Sequence, residues 1–241
     1  MTTVLAPAKV TLSLRVSGVR PDGFHEIDAE MVSVDLSDEL AFDEGDALVV
    51  VDESGGAGVG VPAGETNLVA RALRAVGRRA AVRLVKRIPA GGGLGGGSSD
   101  AAAVLRWAGV ADVSVAASLG ADVPFCLRGG RARVTGIGDV LEPLAFVERT
   151  LTLSTPPFGC STPAVYRAWD ELGGPAADGP NDLEPAALAV EPRLARWRDR
   201  LGDATGQVPV LAGSGSTWFV EGDYPDCVPG ARVVRTTRPH S

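Results

Sequence analysis

The chain has 241 residues, 45% hydrophobic and 22% charged, which excludes disordered and fibrous classes and allows either one large domain or two small ones. The net charge of −7 and the isoelectric point near 4.9 leave no general basic footprint, so nucleic acid is not expected as a partner. No apolar run approaches the roughly 18 residues of a membrane helix, and the N-terminus has no basic-then-apolar leader pattern, so a cytoplasmic location is expected.

The first predicted element is a strand over 4–16. Val10, Leu12, Leu14 and Val16 alternate with Lys9, Thr11, Ser13 and Arg15, the period-2 pattern of a half-buried strand with Lys9 and Thr11 on one polar face. Arg20-Pro21-Asp22-Gly23 is turn chemistry. Phe24 and His25 follow it, before strands near 27–36 and 47–52 and a Gly-rich loop over 54–65. Thr66-Asn67 read as a helix N-cap, with the helix running to Gly77, and a strand follows over 80–88.

The next segment carries the strongest local signal. Between that strand and an Ala-rich helix predicted from about Ser98 to Ala108 lies Pro89-Ala90-Gly91-Gly92-Gly93-Leu94-Gly95-Gly96-Gly97-Ser98-Ser99, with six glycines in seven residues. Glycine lets backbone N–H groups approach a ligand closely, and the helix N-terminus behind adds donors and positive potential, which together predict a phosphate site. No acidic residue ends a strand some 20 residues on, as a dinucleotide fold needs, and no Lys-Ser/Thr pair follows the glycines, as a P-loop needs.

A short helix near 112–119 leads to Gly120-Ala121-Asp122-Val123-Pro124. There, Asp122 at a rigid turn ahead of Phe125-Cys126-Leu127 is either an ordinary capping or turn residue or a desolvated base. A hairpin is expected over 131–144. The second half begins near 148, giving domains 1–147 and 148–241. It reads as a strand over 150–155, a helix capped by Thr162 with Pro163 first, a helix over 185–200, strands at 208–212 and 216–220 around Gly213-Ser214-Gly215, and a last strand over 231–236. The fold class is α+β, the second half close to ferredoxin-like but without a helix over 222–230. Cys126, Cys160 and Cys227 form no CxxC and predict neither zinc nor a disulfide framework. With His25 and the tail residue His240 as the two histidines, a Ser-His-Asp hydrolase is improbable. Lys9 and Lys86 are the only lysines among 23 basic side chains, which is either chance or the sign of a position, Lys9 before Lys86, where a compact ammonium is required.

Pro7-Ala8-Lys9-Val10-Thr11-Leu12, Gly91 to Ser99, and Gly213-Ser214-Gly215 resemble, in order, the three motifs of the GHMP small-molecule kinases. The resemblance spans nearly the whole chain and is reinforced by Arg20 to Glu26, Thr66-Asn67-Leu68, Gly120 to Pro124 and Asn181-Asp182-Leu183-Glu184. It implies an N-terminal ribosomal-S5-like domain and a ferredoxin-like C-terminal domain. It further implies transfer of the γ-phosphoryl of ATP, as its Mg²⁺ complex, to a hydroxyl of a small molecule, specifically a cytidine diphosphate-linked methylerythritol. Pro89 to Ser99 would then cradle the phosphates with Asn67 near the nucleotide. Asp122 would take the hydroxyl proton beside Lys9, Phe24 and Tyr166 would sandwich the cytosine, and the segment around His25 would read its edge. Thr11, Thr162, Gly213 and Ser214 would complete the acceptor side, in a monomer or weak homodimer. Thr11 stands where the family usually has Asn, and Phe24 where it usually has Tyr. The alternatives are another GHMP kinase, acting on homoserine, mevalonate or a sugar, and a nucleotide-binding regulator without catalysis; Lys9 with Asp122 argues against the second.

Overall fold

The computed structural model describes residues 1–55 and 64–240, so most of the Gly-rich loop expected over 54–65 lies outside the described residues. Two long strands, β1 (Thr2–Val19) and β2 (His25–Asp43), pair antiparallel along their whole length and form the spine of the molecule. Both are longer than the alternation predicted. In β2 the polar residues Asp35, Ser37 and Asp38 look like a strand end, yet pairing continues through them and Asp38 is fully buried. The other edge of β2 pairs with β5 (Arg131–Gly136) over Ile27 to Val32 and with β4 (Ala81–Lys86) over Glu39 to Asp43. The gap between them is covered by the C-terminal tail, whose Thr236 bridges Val34 and whose Thr237 N–H donates to the Ser33 carbonyl. Parallel β3 (Ala47–Asp52) and antiparallel β6 (Val140–Pro143) complete a six-stranded sheet.

Helices α1 (Leu68–Ala75), α2 (Gly96–Trp107), α3 (Val113–Leu119) and α4 (Val123–Arg128) cover this sheet. The cap of α1 is Asn67, as expected, its side chain accepting from the Val69 N–H at 2.8 Å. α4 was not among the expected elements: Asp122 does sit in a turn, as the residue that precedes this helix. The chain turns at Gly120 and then enters a helix whose first turn holds Pro124, where a missing N–H costs nothing.

A second, four-stranded sheet has the order β10 (Arg232–Arg235), β7 (Thr150–Ser154), β9 (Trp218–Glu221), β8 (Val210–Leu211). It is flanked by α5 (Thr162–Glu171), α6 (Glu184–Val190) and α7 (Leu194–Thr205). Two boundaries differ from expectation. Ser161, not Thr162, is the residue before α5, and the Thr162 hydroxyl instead bonds that of Ser214 at 2.7 Å. The single helix expected over 185–200 is two, because Pro192 removes an amide donor and pushes Glu191 out of the helical region. Among the described residues no helix is long and apolar enough to cross a membrane, and the three cysteines are free.

The two sheets share a buried apolar seam. Ala8 and Val10 of β1, Val32 and Val34 of β2, and Leu94 of the Gly-rich segment pack with Leu151, Leu153, Phe219 and Val234 of the second sheet. A polar clasp reinforces it. Leu14 N–H donates to the Pro180 carbonyl and Asp182 N–H to the Leu14 carbonyl, so the chain at 180–182 docks on β1 as a short parallel bridge. Asn181 then reaches across: its amide donates to the Leu211 and Gly213 carbonyls at 2.8 and 2.7 Å, while its oxygen accepts from Leu183 N–H. Asn181→Ala leaves two carbonyls and one N–H without these partners in a site 1% exposed. At about 1–3 kcal/mol for such desolvated groups, the substitution should lower the melting temperature by roughly 5–10 °C. A melting curve within about 1 °C of the parent protein would show the clasp to be dispensable.

Candidate active site

The polar face of β1 does not point to solvent. Lys9 and Thr11 are 5% and 1% exposed, on the face opposite the apolar seam and beneath the Gly-rich segment. The alternation holds from Ala8 to Leu12, where it separates an apolar interface from a buried polar site rather than core from water; a register shift between Thr11 and Ser13 then turns Leu14 and Val16 into the other core, against the expectation of one apolar face. Lys9 N–H donates to the Leu94 carbonyl at 3.0 Å, so strand and loop are tied directly. The Lys9 side chain runs under Gly95: a Cβ at that position would stand 2.8 Å from Lys9 Cγ and 3.2 Å from Cε, and Gly95 has φ of +68°. Only glycine fits both the conformation and the passage. Lys9 Nζ emerges 3.2 Å from Thr11 Oγ1, to which it donates, and 3.5 Å from Asp122 Oδ2. Asp122 stands immediately before α4, its side chain one-third exposed.

Gly213 closes the opposite wall. A Cβ there would lie 3.6 Å from both Lys9 Nζ and Thr11 Oγ1, so the Gly213-Ser214-Gly215 turn is at once the β8–β9 connection and a wall of the Lys9 site. Gly93 fixes the third side: a Cβ on it would meet the Ala212 and Gly215 carbonyls at 2.6 Å. The glycines thus allow two loops, one from each sheet, to meet backbone to backbone over a lysine.

On the far side of the loop lies a cavity of about 250 Å³. It is walled by Thr66, Asn67 and Leu68 at the start of α1, Pro89 through Gly97, and, as its floor, Ile88, Lys86 and Asp100. Pro89, Ala90, Gly91, Gly92, Gly93, Leu94, Gly95, Gly96, Gly97 and Asn67 are therefore together. Ser98 and Ser99 are outside this lining, and the Ser99 hydroxyl donates to the Pro7 carbonyl at 2.6 Å, tying α2 to β1. Positive-φ glycines and the N-terminus of α2 give this wall the donors and space for an anion. These features fit the phosphates of a nucleotide. Among the described residues no group of three His, Cys, Asp or Glu could hold a metal ion.

Beyond Asp122 lies an aromatic corner. His25 Nε2 pairs with Asp170 Oδ1 at 2.8 Å, and its ring lies 4.6 Å from that of Tyr166 and edge-on to Trp169 at 5.6 Å. Burial, with Asp122's charge adding to it, pushes the Tyr166 phenol up to about 12, so its O–H stays a donor at neutral pH. Phe24, 57% exposed, stands at the end of the β1–β2 turn. Trp169, Asp170 and Asn181 are site-building residues that motif reading left without a role. Their contacts join segments more than 140 residues apart in the case of His25 and Asp170, and no local pattern encodes that.

The model of the GHMP kinases N terminal domain matches residues 67–130. The chain is 37% identical to the 4-diphosphocytidyl-2-C-methyl-D-erythritol kinase of Cereibacter sphaeroides (strain ATCC 17025 / ATH 2.4.3), over 91% of this chain and 88% of the relative. It is 38% identical to the enzyme of the same name from Dinoroseobacter shibae, over 97% and 90%, and 39% identical to that of Pelotomaculum thermopropionicum, over 90% and 88%. The crystal structure of a 4-(cytidine 5'-diphospho)-2C-methyl-D-erythritol kinase superimposes with a TM-score of 0.76 at 33% identity, covering 98% of this chain and 99% of that one. A mevalonate kinase superimposes at 0.57 with 13% identity, a likeness of fold alone.

Proposed function

Because the chain belongs to the 4-diphosphocytidyl-2-C-methyl-D-erythritol kinases of the GHMP family, we propose that it phosphorylates the 2-hydroxyl of that cytidine-linked polyol with ATP, in isoprenoid precursor synthesis. The observation that carries the reading is the convergence of Lys9 Nζ and Asp122 Oδ2, 3.5 Å apart, beside a glycine-walled cavity that fits nucleotide phosphates.

When bound, ATP supplies the γ-phosphoryl, and Mg²⁺ accompanying its phosphates neutralises their charge. In our reading Pro89 to Gly97 hold the phosphates through backbone N–H groups, with Ser98 and Ser99 fixing the start of α2, and Asn67 borders the nucleotide. Asp122 accepts the proton of the acceptor hydroxyl. Such a base contributes roughly 10²–10⁴-fold. Lys9, tethered through Thr11 and Gly95, orients Asp122 and presents its ammonium to the charge that develops during transfer. Phe24 and Tyr166 contribute the aromatic faces for the cytosine. One side of Tyr166 already meets His25, which supports placing the base on the remaining face, with the His25 segment, held by Asp170, at its edge. Thr162, hydrogen-bonded to Ser214, and the Gly213 turn then bound the polyol. We also infer a cytoplasmic protein acting without nucleic acid or membrane partners, as a monomer or weak homodimer, and a domain boundary near 147.

Two measurements check this reading. In a coupled assay of ADP release, the cytidine-linked acceptor should turn over, while homoserine, mevalonate and a hexose should give no rate above the acceptor-free blank. Turnover of mevalonate or homoserine instead would reassign the acceptor. Asp122→Asn preserves size but removes the proton acceptor, so kcat should fall at least 10²-fold with ATP affinity changed less than about threefold. A kcat near that of the parent enzyme would remove Asp122 from the chemistry.

A further inference from the structure

Beneath the phosphate wall lies a charge cluster that the proposed chemistry does not use. Lys86 Nζ at the end of β4 bonds Asp38 Oδ2 of β2 and, at 2.7 Å, Asp100 Oδ2 of α2. All three side chains are at most 4% exposed. Asp38 is saturated, because its Oδ1 also accepts from the Arg87 and Ile88 N–H groups. Asp100 is not: its Oδ1 is buried with no hydrogen-bond partner. Two carboxyls thus share one ammonium in a buried cluster, of which Lys86 and Asp100 line the cavity and Asp38 lies behind them. With both ionised the floor carries a net negative charge, which is costly to bury and repels an anion above it. A proton on the unsaturated carboxyl removes both penalties.

We propose that Asp100 is a positioning residue of the nucleotide site that binds phosphate in its protonated form, so that the anion rests on a neutral floor anchored by Lys86 and Asp38. The inference rests on the reading of Pro89 to Gly97 as a phosphate cradle. Lys86 is directly under that cradle, since a Cβ on Gly96 would stand 3.2 Å from its Nζ. Burial, which outweighs the Lys86 charge and is aided by Asp38, pushes Asp100 up to about 8 in the free protein. Burial alone would push Lys86 down, but the two carboxyls outweigh it and hold the ammonium charged. Among the described residues, the other titratable group linked to Asp100 is the Cys126 thiol of α4, which burial pushes up to about 12 and so leaves neutral. Lys9 of β1 lies along Gly95, on the other side of the loop, and neither α1 nor α3 contributes a charge that acts on Asp100.

The linkage has a definite sign. Well below its raised pKa Asp100 already holds its proton, and nucleotide binding moves almost none. As pH rises through it the free protein loses the proton, so binding takes one up and affinity falls. Titration calorimetry with ADP, run at pH 8.5 in buffers of different ionisation enthalpy, should show uptake of roughly 0.5–0.8 proton per nucleotide. The uptake should vanish in Asp100→Asn. In steady state, KM for ATP should rise about five- to tenfold between pH 7.5 and 9 with KM for the acceptor unchanged, and Asp100→Asn should flatten that rise. A merely structural Asp100 would alter melting without moving either readout. Zero uptake by the parent protein at pH 8.5 overturns the proposal even if the variant fails to fold, as does equal uptake in a folded variant. Absence of saturable ADP binding by the parent protein would instead remove the cradle reading, and this proposal with it.

Discussion

The site depends on one close approach, the passage of the Lys9 side chain beneath Gly95. At 2.8 Å from Lys9 Cγ, a Cβ at position 95 would have to displace either the lysine or the loop. Its absence lets a strand residue be buried along its methylenes and still deliver its ammonium to Thr11 and Asp122. The same backbone then continues as the wall of the glycine-lined cavity. That wall and the Lys9–Asp122 pair are therefore two faces of one short segment. Phosphoryl transfer, in which positioning and charge neutralisation provide most of the acceleration, suits such coupling.

Holding that segment still requires both halves of the chain. Leu94 anchors it in the apolar seam, Lys9 N–H fixes the Leu94 carbonyl, and Thr217 N–H takes the Gly92 carbonyl. Gly93 abuts the carbonyls of the β8–β9 turn, which Asn181 in turn clamps from the docked 180–182 segment. Arg15 and the Val16 and Ala177 N–H groups converge on Asp182, outweighing its burial and holding its carboxyl below the usual range. The second sheet is thus more than a support for the acceptor. It supplies the surface against which the loop of the first sheet is set.

Much of this was legible in residue order. The alternation around Lys9, the glycine run between a strand and a helix, the Asn67 cap and the bracketed Asp122 are local patterns with local causes, and each emerges where reading placed it. The rest was not local. Asp38 looks like a strand end because its partners, the Lys86 ammonium and the Arg87 and Ile88 amides, lie 48, 49 and 50 positions away. Asn181 gives no local sign of its clamping role, because the Leu211 and Gly213 carbonyls it bonds lie 30 and 32 positions away. The break at Pro192 was readable, but the apolar residues on both sides suggested one continuous helix. The α4 helix was hidden by the glycine and proline that flank Asp122, since proline marks a turn and the first turn of a helix equally.

The account is tested most directly at Lys9. The channel under Gly95 admits a chain of methylenes ending in a compact ammonium, and a guanidinium is a wide planar fork. If the geometry of the ammonium matters, Lys9→Arg should reduce kcat by at least ~10²-fold, close to the loss in Lys9→Ala, with melting temperature little changed. Retention of more than about a tenth of the parent kcat by Lys9→Arg would contradict the account, because positive charge anywhere in the site would then suffice.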